Sequence, residues 1–205
     1  MFKTLLAGTF ALISLLLPWA GLAAGPTPTS AAVENPGAVT FPGLTRYVDL
    51  QAFYSVLMRG TPEKKEKFEL NGAKYSAVVN EDKEGAWSVA FADFPDLGNP
   101  PYDAKKVSVI VNEQPKAYVE KIHGKMQAYL AHTKFGYQFR EVKGRIDSGP
   151  RQGGRFRICC YLAGKRMFIV AAEGKEDWVK SPQSDAFFNS FEIPGATASP
   201  KLDIK

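Results

Sequence analysis

Two apolar runs joined by a three-residue turn constrain this chain more than any other feature. Residues 155–162 and 166–172 flank Ala163-Gly164-Lys165, a glycine-bearing link short enough to fold them back on each other as an antiparallel hairpin. The second run is apolar on both alternating faces, which places it inside a sheet covered on each side. In the first run, alternation sorts Cys160 with Phe156, Ile158 and Leu162, and Cys159 with Arg155, Arg157 and Tyr161. Neighbouring thiols that point to opposite faces cannot bond each other, so folding is expected to be independent of disulfides.

Further strands follow from local pattern. Asn71-Gly72 suits the positive φ of a tight hairpin turn between residues 68–70 and 73–79. After a polar turn over 80–85, Trp87, Val89 and Phe91 alternate with smaller residues as a half-buried strand does. Residues 93–103 carry three prolines and no periodicity, and read as an ordered loop. A strand is expected over 106–111, and another over 136–147 with a bulge where alternation slips between Phe139 and Val142.

Three helices are expected. Tyr47, Leu50, Tyr54 and Leu57 or Met58 recur at helical spacing over 46–58, behind Thr45 as a cap. Pro115 opens a second helix with Tyr118, Ile122, Met126 and Tyr129 or Leu130 on one stripe, and Ser181-Pro182 opens a third that buries Ala186, Phe187 and Phe191. Residues 64–67 read as a solvated charge run. Strands joined by hairpins, with helices before, between and after them, indicate an α+β fold built on an antiparallel sheet flanked by helices.

The N-terminus sets an expected address. Lys3, the apolar run over 5–17 and the small residues near 21–23 have the organisation of a secretory signal, with cleavage after Ala23, or alternatively Ala24. The apolar run is shorter than the ~20 residues that a spanning helix needs. The resulting division is a signal at 1–23, a Pro/Gly/Ser/Ala-rich linker at 24–45, a single domain at 46–194 and a polar tail at 195–205. Periplasmic or secreted localisation follows, with no transmembrane segment after signal removal. Intact mass of the exported protein checks this, and a retained Met1 in the envelope fraction would contradict it. The net charge of +5 falls to +4 once Lys3 is lost. Export removes nucleic acid as a partner and leaves anionic envelope surfaces as the counterpart of a mildly basic protein.

The turn Arg151-Gln152-Gly153-Gly154, then Arg155-Phe156, the segment Tyr161 to Phe168 and Ser181-Pro182 followed by Phe187-Phe188-Asn189-Ser190-Phe191 carry a resemblance. Over residues 73–193, and most clearly from 151 onward, the chain resembles exported bacterial proteins with a PsbP-like fold. The resemblance implies an α/β/α sandwich. It brings no catalytic residues to carry across, and its better-known members act as assembly or docking subunits.

Enzyme chemistry finds little support. His123 and His132 lie nine residues apart, a spacing that points two side chains of one helix to opposite sides and so prevents a shared metal. No hydrolase elbow, phosphate loop or dinucleotide fingerprint follows a strand. Asp93, Asp96 and Asp103 lack the spacing of a calcium loop. The expectation is therefore an exported non-enzymatic binding or assembly module without cofactor or metal. Its contact face is expected to hold Arg155, Arg157, Tyr161 and Cys159, with Arg151, Lys165 and Arg166 converging from the adjoining turns on an envelope protein or an anionic envelope surface. The alternative is an envelope enzyme or thiol-active protein in which the two arginines activate Cys159.

Overall fold

The computed structural model describes residues 41–62, 64–134 and 137–194. The expected signal, most of the linker and the tail lie outside the described residues. Along the chain come β1 (Thr45–Asp49), β2 (Tyr54–Met58), β3 (Lys64–Leu70), β4 (Ala73–Glu81) and β5 (Gly85–Asp93). A 3-10 turn (Pro95–Leu97), α1 (Ala104–Lys121), β6 (Gly124–Lys134), β7 (Tyr137–Ile146), β8 (Arg155–Ala163), β9 (Arg166–Gly174), α2 (Glu176–Val179) and α3 (Pro182–Asn189) follow. Strands β3 to β9 form one sheet in the order β3-β4-β5-β9-β8-β7-β6, all neighbours antiparallel, and β1 pairs with β2 apart from it. The class is α+β, dominated by antiparallel sheet.

The hairpin of β8 and β9 lies at the centre of this sheet. β9 sits between β5 and β8, with Met167, Ile169 and Ala171 buried on one face and Phe168, Val170 and Ala172 on the other. The first face packs Val107, Val111, Tyr118 and Val119 of α1. The second packs Tyr54, Val56 and Met58 of β2 together with Phe187 and Phe188 of α3. The Asn71-Gly72 turn is present as expected, both residues at positive φ.

Four expectations are corrected. Residues 46–58 form a β-hairpin and no helix: Asp49 Oδ1 accepts the backbone N–H groups of Gln51 and Ala52 at 2.9 and 2.8 Å, which nucleates a turn. Leu50, counted on the helical stripe, is 80% exposed at the tip of the hairpin. The charge run 64–67 is solvated as expected but forms part of an edge strand, with Lys64, Lys65 and Lys67 exposed.

The third correction concerns residues 104–134, where helix and strand exchange places. Asp103 caps α1 by accepting from Lys105 and Lys106, and Val107, Val111 and Tyr118 form its buried stripe, so the β-branched stretch 106–111 is helical. Pro115 lies inside this helix, not at its start. His123, at φ 54, ends the run in a left-handed conformation, and Met126, Tyr129 and Leu130 belong to the exposed edge strand β6. His132 therefore lies on β6, away from the helix that precedes His123.

Fourth, β7 has no bulge between Phe139 and Val142. The register to β8 is continuous there; Phe139 faces the α3 side and Val142 the α1 side, so what changes along the strand is which face is covered. The irregularity lies in β6, where Met126 pairs with Gly144 and Ala128 with Lys143, leaving Gln127 as the extra residue. Among the described residues no helix is long and apolar enough to cross a membrane.

Candidate functional site

β8 alternates as expected, and its α3-side residues divide into two groups. Cys159 and Tyr161 lie beneath the covering elements and are each 2% exposed. Arg155 and Arg157, closer to the strand's N-terminal end, are half-buried, with side chains 32% and 21% exposed, and α3 covers part of Arg157. The four residues expected to form one contact face thus do not share a surface: the arginines are partly accessible, and the other two are core.

The arginines line an open groove of about 430 Å³ with Lys143, Lys180, Gln127 and Asp185. Its geometry comes from the sheet register. Lys143 on β7 stands directly opposite Arg157, a like-charge pair that Glu141, two residues away on the same face, makes tolerable. Glu141 lies 2.8 Å from Arg157 Nε and 3.1 Å from Lys143 Nζ. Burial works to raise its pKa, but the hydrogen bond from Lys143 and the charge of Arg157 prevail and hold it below its ordinary value. Arg157 also donates to Asp185 at 2.6 Å and lies over the Phe188 ring at 4.3 Å, so α3 fixes its orientation.

The second half of the groove is organised by Glu176, which lies 3.2 Å from Arg155 Nε and 2.5 Å from Lys180 Nζ. Arg155 further donates to Gln127 at 2.6 Å, so the bulge of β6 supplies a side chain that an unbroken ladder would aim elsewhere. Four cations thus stand against Glu141, Glu176 and Asp185, one positive charge in excess, with Lys143 and Lys180 more than half exposed. Lys143, Lys180 and Gln127 were missed from sequence. The partner strand's parity could have placed Lys143; a bulge residue and a helix-end lysine leave no such signature.

The wider convergence of charge does not occur. Arg151 pairs with Glu81 and lies 3.7 Å from Glu173, Arg166 makes two hydrogen bonds to Asp93 at 2.6 and 2.7 Å, and Lys165 donates to Asn99. Asp93 and Asp103, from the loop considered for calcium, thus serve as an ion-pair partner and a helix cap.

The thiols are placed on opposite faces, neither in a disulfide, both buried. Burial pushes the Cys160 thiol well above its ordinary pKa, with Cys159 adding to the shift. Iodoacetamide should therefore label neither cysteine in the native protein and both after unfolding; rapid native labelling of Cys159 would contradict its placement.

No protein-family model matches the chain, and no curated protein matches it in sequence. In structure it is similar to the cyanobacterial PsbP protein of Synechocystis, with TM-score 0.45, 15% identity, 82% of this chain covered and 99% of that one. It is also similar to a Pseudomonas aeruginosa protein of unknown function, with TM-score 0.40, 11% identity, and 77% and 96% of the two chains covered. The first of these is a PsbP protein, the kind of fold that the sequence resembles.

Proposed function

We propose that this protein is an exported, non-catalytic binding or assembly module of the cell envelope that meets an anionic surface through the groove at Arg155 and Arg157. The observation that carries the reading is the excess cation in an open groove whose arginines are already oriented. Glu141, Asp185 and Glu176 hold the guanidinium groups in place, while Lys143 and Lys180, ion-paired to Glu141 and Glu176, remain more than half exposed. Oriented cations lose little conformational freedom when an anion arrives. Export rests on the signal-like residues 1–23, and the three-layer α/β/α arrangement on α1 facing one side of the sheet and α2 and α3 the other. The buried position of Cys159 gives the thiol-active alternative no comparable support.

Lys143 and Lys180 provide a cleaner test than the arginines, because reversing Arg157 would also remove its packing on Phe188. Capture on phosphatidylglycerol vesicles should exceed capture on phosphatidylcholine vesicles and fall as salt rises, since exposed charges are screened over ~8–10 Å. The pair Lys143→Glu and Lys180→Glu should weaken it at least about tenfold, on a scale of about 1 kcal/mol per basic residue at such a surface. Binding unaffected by both salt and the double variant would place the contact elsewhere.

A further inference from the structure

On the opposite face of the sheet, where α1 ends, lies a second and smaller cavity of about 240 Å³. It is lined by side chains of β3, β4, β5 and β9 on the sheet and, across from them, by Tyr118 and Lys121 of α1, by His123 and by the loop carrying Arg151. Within it, Glu173 points from the central strand toward the α1 side, with its side chain only 15% exposed. A carboxylate in such a position is costly unless it is hydrogen-bonded.

The surrounding charges sort into closed and open ones. Lys64 is 2.7 Å from Glu66, and Arg151 is bonded to Glu81. Glu173 accepts no hydrogen bond from a described residue; its nearest cation, Arg151, stands 3.7 Å away. Lys121 forms no ion pair among the described residues, and its ammonium rests over the rings of Phe68 and Tyr118 at 4.7 and 5.9 Å. The cavity thus presents a carboxylate held by one ion pair at 3.7 Å without a hydrogen bond, and an ammonium held by aromatic rings without an ion pair. Three cations (Lys64, Lys121, Arg151) balance three carboxylates (Glu66, Glu81, Glu173), so the lining favours neither sign overall.

We propose that this cavity binds a small zwitterion, whose ammonium group is taken by Glu173 and whose carboxylate is taken by Lys121. A singly charged ligand would satisfy only one of the two poles, whereas a dipolar molecule satisfies both. The volume lies below the ~300–1,000 Å³ of sites for drug-sized ligands and suits a molecule of amino-acid size. The hydroxyls of Ser88 and Tyr118, 3.2 Å apart and buried, bond each other and leave these two poles as the main polar handles. This site is separate from the groove and does not depend on the proposed envelope contact.

The full chain, 15N-labelled, is titrated by NMR with glycine, β-alanine and γ-aminobutyrate, which differ in the span between their charges, and with propylamine and propionate as single-charge controls. At least one zwitterion should shift the amides of Ser88, Lys121 and Glu173 saturably, and neither control should. Glu173→Gln, which keeps the side-chain shape, should weaken that binding about 10- to 100-fold, the cost of one hydrogen bond to a charged group. Lys121→Gln, at an exposed position, should weaken it too, while the Lys143→Glu, Lys180→Glu pair leaves it unchanged. The proposal is overturned by the absence of saturable shifts with all three zwitterions, by propylamine or propionate binding as well as they do, or by unaltered binding in folded Glu173→Gln.

Discussion

Phe168→Ala should lower the unfolding free energy by ~3–5 kcal/mol, read as a fall in the urea midpoint with little change of slope. Phe168 lies on the central strand, is 1% exposed, and meets the rings of Tyr54 and Phe191 edge-on at 6.0 and 5.6 Å. Those partners come from β2 and from the segment after α3, so truncation leaves a cavity that two separate parts of the chain would have to collapse into. Rigid sheet on one side and paired strands on the other resist that collapse. A typical domain has only ~5–15 kcal/mol in total, so a loss of this size is a large fraction of it. Leu50→Ala, at the exposed tip of the first hairpin, is the control and should change stability by less than ~0.5 kcal/mol. A loss below ~1 kcal/mol at Phe168 would mean that the aromatic layer over β9 is loosely packed.

The central hairpin was legible because its evidence is local: an apolar run of strand length, a glycine turn and a second apolar run leave no competing interpretation. Residues 104–134 were not, because two rules pointed the wrong way at once. Val107, Val109, Ile110 and Val111 have the β-branched composition of a strand, yet Val107, Val111 and Tyr118 fit a helix stripe that starts from the Asp103 cap. Beyond His123, apolar residues at helical spacing sit on an edge strand where they are exposed, so burial supplied no reason for their spacing. For the candidate site, strand parity correctly put Arg155, Arg157, Cys159 and Tyr161 on one face. It could not tell how completely α3 and the first hairpin cover that face, and their cover leaves the two arginines half-buried while the other two residues are core.

Gly144→Ala tests how that groove is built, and it should cost about 3 kcal/mol. A Cβ at Gly144 would lie 2.1 Å from the backbone oxygen of Lys125 and 2.5 Å from Phe156 Cζ. The first contact is with main chain, which cannot rotate away, so β6 must shift outward from β7 at the point where its bulge begins. Gly124→Ala is the informative comparison: there the nearest atoms are the Phe156 ring at 2.6 Å and a Val119 methyl at 3.1 Å, side chains able to yield, so the cost should be smaller. Gly72→Ala gives a second reference, with no atom within 4 Å of the added carbon and a φ of +79, so its cost is conformational and nearer ~1 kcal/mol. Displacing β6 also moves Gln127 from its 2.6 Å contact with Arg155, so capture on anionic vesicles should weaken in folded Gly144→Ala and persist in Gly72→Ala. If Gly144→Ala costs no more than Gly72→Ala and leaves capture intact, the edge strand yields freely, and the close approach of β6 to β7 neither stabilises the sheet nor orients Arg155.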